Sequence, residues 1–109
     1  MSDQRFINVA QLRELLLGME RDLGIGDLSQ NEKDILYTIS LVSSVNRGIA
    51  RSDVIKAHDL VAGISQPTFH RCLKNLVKAG LIEHAPNTKA GSYIAAGSSH
   101  KKVDITAAE

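Results

Sequence analysis

The stretch 65–82, SQPTFHRCLKNLVKAGLI, constrains this chain more than any other. Ser65 has a side-chain oxygen that can accept a backbone N–H from a first helical turn. Pro67 is tolerated in that turn, where no intrahelical bond needs its N–H. Phe69, Leu73, Leu76 and Val77 then recur at 4, 3, 1 spacing, and Gly80 supplies the left-handed residue at which helices end. The spacing predicts a helix with one apolar face over 65–79, followed at once by the apolar step Leu81-Ile82. Such a helix must dock on a core made by other elements. Its other face gathers Gln66, His70, Arg71, Lys74 and Lys78, although the whole chain has a net charge of only +1.

The remaining elements follow from the same signals. Val9, Leu12, Leu16, Met19 and Leu23 are spaced 3, 4, 3, 4, and Leu15 widens the stripe, which predicts an amphipathic helix capped by Asn8 and ended by GIG at 24–26. Ser29 with Glu32 three residues on forms a capping box. Leu28 and Lys33 occupy the staple positions, so no apolar staple is expected. The helix that follows carries Ile35, Leu36, Ile39, Val42 and Val45 as its buried stripe, to about Asn46. A brief strand is expected at 49–51, then a helix over 53–60 capped by Ser52 and using Val54, Ile55 and Ala57. Beyond Gly80, LIEHA, PNTKAG and SYIAA read as strand, loop, strand. The tail 97–109 has weak periodicity and is expected to be mostly disordered. The fold class is mainly α with a small β-hairpin, α+β.

Composition narrows the function classes. A length of 109 residues with 43% hydrophobic content allows one domain with a real core. That core must be aliphatic, because there is no Trp and only two Phe and two Tyr. No apolar run reaches the roughly 18 residues of a membrane span, and MSDQRF has no signal pattern. A single cysteine, Cys72, cannot form an internal disulfide and suits a reducing cytoplasm. Cys72 lies beside the core leucines and reads as a filler thiol. His58, His70, His84 and His100 show no standard ligand spacing, so no metal is expected. Without a glycine-rich phosphate loop or a carboxylate pair, neither enzyme activity nor a cofactor is expected. Charge is divided: residues 1–46 hold four basic against seven acidic side chains, whereas 47–102 hold nine against three. A basic back half points to an anionic partner.

The order helix, helix, short strand, helix, turn, helix, hairpin, with S-x-x-T-F-H-R-x-L-x-x-L-x-x-x-G-L-I at 65–82, resembles the MarR-like winged helix-turn-helix regulators over roughly residues 29–96. The resemblance implies a winged helix-turn-helix with an additional N-terminal helix. Residues 1–27 would be that helix and a linker, 28–96 the DNA-binding domain and 97–109 a tail. It implies a cytoplasmic, sequence-specific double-stranded-DNA-binding transcription regulator. Helix 65–79 would enter the major groove, and the wing 82–95 would lie on the flanking backbone or minor groove. The expected DNA contacts are Ser65, Gln66, Pro67, Thr68, His70, Arg71, Lys74 and Lys89. Gln can bond adenine bidentately and Arg guanine, whereas Thr68 and Lys74 suit phosphate. The chain lacks the Asp-x-Arg wing motif and the long C-terminal helix that usually completes a MarR dimer. The leucine surplus at 12–23 instead suggests a homodimer on a (pseudo)palindromic duplex, with Leu12, Leu16 and Met19 near the seam. The simpler use of that stripe is packing against the helix of 30–46. The rival function is a protein-docking module that binds no DNA.

Overall fold

A computed structural model describes residues 3–86 and 91–95. Helix α1 spans Gln4–Asp22, α2 Gln30–Val45, α3 Ser52–Ala57 and α4 Gln66–Lys78; strands β1, β2 and β3 are Ala50–Arg51, Ile82–His84 and Ser92–Ala95. The chain is mainly helical with a small antiparallel sheet of order β1-β3-β2. Ala50 pairs with Tyr93, and His84 lies opposite the same residue on the other edge. The short strand before α3 thus adds a third strand to the expected hairpin.

The core lies where α2, α3, α4 and the sheet converge. Ile35 and Ile39 of α2, Ile55 of α3, Val61, Phe69 and Leu76 of α4, and Ile82 of β2 are all essentially inaccessible. Cys72 is buried in the same cluster, and Val77 and Leu28 pack at its margin. Local chemistry sets the helix ends. Ser29 accepts from the Glu32 N–H at 3.2 Å while Glu32 accepts from the Ser29 N–H at 2.9 Å, the reciprocal capping box. Gly80 takes φ +78°, which lets the Leu81 N–H reach the Leu76 carbonyl at 3.0 Å and the Gly80 N–H reach Val77 at 3.0 Å. This paired closure ends α4 and turns Ile82 into the core. Gly91, at φ +93°, accepts from the Ser52 N–H at 2.6 Å, and a Cβ there would come 3.1 Å from the Ser52 Oγ.

Several expectations are corrected. α1 begins at Gln4 rather than after Asn8, because Asp3 accepts from the Arg5 N–H at 2.8 Å and caps the helix earlier. α3 begins at Ser52, which is its first residue and not its cap: the Ser52 N–H bonds the Gly91 carbonyl, and Arg51 at the N-cap position makes no side-chain cap bond; the helix stops at Ala57, and Val54 is exposed. Val45 is 86% exposed rather than part of the buried stripe, since it shares a side of α2 with Tyr37 and Leu41. The largest departure is α1. The helix is not amphipathic as expected: Phe6, Ile7, Leu15 and Leu17 are exposed besides the expected stripe, so apolar side chains surround it, none packs on α2 as a core layer, and its one buried residue is Glu20. Glu20 accepts from Lys33 Nζ at 3.1 Å and from the Tyr37 hydroxyl, so a polar junction rather than a hydrophobic one fixes α1 to α2. Lys33, at the position where an apolar staple would sit, is turned into this junction and buried. Among the described residues no helix is long and apolar enough to cross a membrane.

Candidate functional site

The Ser65 hydroxyl accepts from the Thr68 N–H at 3.4 Å and donates to the Thr68 Oγ1 at 3.0 Å, which starts α4 with a closed first turn. Pro67 follows as the second helical residue. From there the 3.6-residue period sorts the side chains into two faces. Phe69, Cys72, Leu73 and Leu76 are buried, whereas Gln66, His70, Arg71, Lys74 and Lys78 are exposed. Burial of three large side chains and the Cys72 thiol holds α4 on the core, so the exposed row has a fixed spacing. One polar tie adds to this: Asn75 donates to the Glu32 carboxylate at 3.1 Å, linking α4 to the first turn of α2. Hydrogen bonds from the Ser29 N–H and Asn75 hold Glu32 below its ordinary carboxylate range, with Arg71 contributing more weakly.

The exposed row forms a ridge. Gln66 Nε2 and His70 Nε2 are 3.3 Å apart, one helical turn from each other. A cleft of about 370 Å³ lies on the α3 side, between Gln66 and His70 and the residues Ser52, Asp53 and Lys56. A larger cleft of about 540 Å³ lies on the sheet side, lined by His70, Lys74, Val77, Lys78, His84 and Tyr93 among others. His70 lines both and so stands at the crest. Among the described residues Arg71, Lys74 and Lys78 make no ion pair, in contrast to Arg51, which meets Asp53 at 2.5 Å. Three exposed cations thus stand on one face of α4, a face suited to an anion. Positive helix-dipole charge at the start of α4 adds to the same field.

Of the expected contacts, Gln66, Pro67, His70, Arg71 and Lys74 share the exposed side of α4. Ser65 and Thr68 start the same helix, but their hydroxyls are engaged in its cap, and Arg71 approaches Thr68 at 3.5 Å. Lys89 lies outside the described residues. Sequence reasoning placed Lys78 on this face without counting it among the DNA contacts, and missed His84 as a member of the surface. Lys78 is four residues after Lys74, so helical spacing carried the signal. His84 needed the strand register: opposite Tyr93, with ring centroids 5.1 Å apart, it reaches the rim of the larger cleft. Cys72 does not reach this surface; burial pushes its thiol up, which suits packing rather than nucleophilic attack. No three His, Cys, Asp or Glu side chains converge as a metal site among the described residues.

Compared with family models, curated proteins and solved structures, the chain matches none.

Proposed function

We propose that this chain is a sequence-specific double-stranded-DNA-binding regulator of winged helix-turn-helix type, reading the major groove with α4. The observation that carries the reading is the ridge on α4: a polar pair at its start, Gln66 and His70, followed by Arg71, Lys74 and Lys78, exposed and without ion-pair partners among the described residues. A 13-residue helix is about 20 Å long, and a major groove about 12 Å wide admits it end-on or obliquely. Short polar groups near the helix start suit base edges, and the later lysines suit phosphate. The clefts on either side leave room for the two groove walls. The rim of the larger cleft, with the cations Lys74 and Lys78 and beside them His84, would face one of the phosphate strands, beside the β2–β3 wing.

The test is binding to mixed-sequence duplex across a salt series, for wild type and for the Arg71→Ala, Lys74→Ala, Lys78→Ala triple variant. Each phosphate neutralised contributes about −0.9 to the slope of log K against log[salt]. The expected result is a steep wild-type slope, reduced by two to three in the triple variant, on the order of one per phosphate contact. An unchanged affinity and slope would remove DNA from this face and leave the protein-docking reading as the better one.

A further inference from the structure

We propose that α1 is a dimerisation arm: α1 of a second copy of this chain seats against α1 and against the outer stripe of α2, making an intertwined homodimer. The α1 seam of Val9, Leu12, Leu16, Met19 and Leu23 is 63%, 65%, 37%, 52% and 69% exposed. This 19-residue helix is held at one end by a polar junction and leaves that surface in water, whereas helices in proteins draw most of their stability from packing an apolar face. The 3, 4, 3, 4 spacing is that of a two-helix seam. On α2, the stripe that starts at Lys33 and Tyr37 under Glu20 continues as Leu41 and Val45, 52% and 86% exposed. Both helices therefore leave the Glu20 junction with uncovered apolar sides.

The area fits a second copy. The exposed side chains of the α1 seam, taken together with Leu41 and Val45 of α2, offer on the order of 800 Å², comparable to the roughly 800 Å² per partner of a stable interface. A two-fold pair needs the same patch on both members, which a helix seam supplies by itself. A lipid surface fits less well. Helices that lie on membranes carry Lys and Arg on their polar side, whereas residues 3–22 hold three arginines against four carboxylates. The inference does not depend on DNA binding and is tested without DNA.

Light scattering at micromolar concentration is expected to give twice the chain mass. Leu12→Glu and Val45→Glu change side chains that lie outside the core cluster, so circular dichroism should still report a folded body. Each is expected to weaken association at least about 100-fold, because each would place a charge in an apolar contact. A Leu12→Cys chain mixed with a longer, tagged Val45→Cys chain is expected to give an interchain disulfide of mixed mass. A monomeric wild type at high micromolar concentration overturns the proposal. An intact dimer in either Glu variant does so too, because it removes that helix from the contact. In a Leu12→Cys, Val45→Cys double variant, an intrachain disulfide formed in place of the interchain one would show α1 folded onto its own α2, and would equally overturn the proposal.

Discussion

Gln66 and His70 reach the same point in space from successive turns of α4, so each limits where the other can go. A side chain held this way loses less conformational freedom on meeting a base edge than a free one does. Gln66→Ala should therefore cost about 1–3 kcal/mol on the preferred duplex and little on random duplex. Equal losses on both, measured by fluorescence anisotropy, would make Gln66 a positioning residue and not a reader. Gly80 gives a second test at this scale, on stability instead of binding. A Cβ at Gly80 would meet nothing within 4 Å, so space does not forbid alanine there. The backbone does: φ +78° costs an L-residue roughly 1–2 kcal/mol. Gly80→Ala should lower the unfolding free energy by that much, read as a lower urea midpoint at unchanged slope, and an unaltered midpoint would show that the closure of α4 on Leu81 does not depend on left-handed geometry.

The elements themselves were legible wherever a cap, a period and a glycine agreed. α2 and α4 have all three, and their expected limits stand within a residue or two. The stripes were less legible at their ends. Val45 fits the apolar count of α2, but a 3.6-residue period drifts, and at the tenth residue past Ile35 it has moved onto the Tyr37 side. α1 was legible as a helix but not as an unsupported one. Sequence spacing reports that a helix has an apolar side, not what lies opposite it. The signal that α1 meets the body through charge was a pair of lone polar residues, Glu20 and Lys33, thirteen positions apart and meaningful only once folded. Their junction makes a titration prediction. The Tyr37 hydrogen bond, reinforced by Lys33, holds the Glu20 carboxyl below its ordinary range, so its contribution is present above about pH 4.5 and is lost as pH falls through the lowered value. Burial and the Glu20 carboxylate push the Tyr37 phenol up to about 12. A raised folded value means the stabilisation is present below about pH 10 and is lost as pH rises from there to about 12. Burial raises the Tyr93 phenol as well, so the readout is the part of the tyrosinate absorbance change that Tyr37→Phe removes; that part centred at the ordinary value of 10 would mean that the Tyr37–Glu20 bond does not form in solution.

For the whole molecule, the two proposals make separable demands. On the DNA proposal, a single α4 ridge would read only a few base pairs, and its exposed cations would give an affinity dominated by salt. Joining two ridges through α1 would turn the second binding event into an intramolecular one, worth about 10²–10⁴ in apparent affinity when the spacing matches. For two-fold readers of the major groove that spacing is one helical turn, about 34 Å, or a multiple of it. Leu12 lies on α1, outside the described contacts of α4, so Leu12→Glu should leave each ridge intact. The variant is therefore expected to bind an isolated half-site as wild type does. On an inverted repeat it should lose about 100-fold or more and change from one cooperative transition to independent half-site binding. The comparison requires an inverted repeat, selected with wild-type protein, and its single half-site, both at one salt concentration. Loss on both sites alike would mean that the Glu substitution damages the domain. Loss on neither, with the variant monomeric by light scattering, would mean that α1 joins two copies for some purpose other than reading a two-fold duplex.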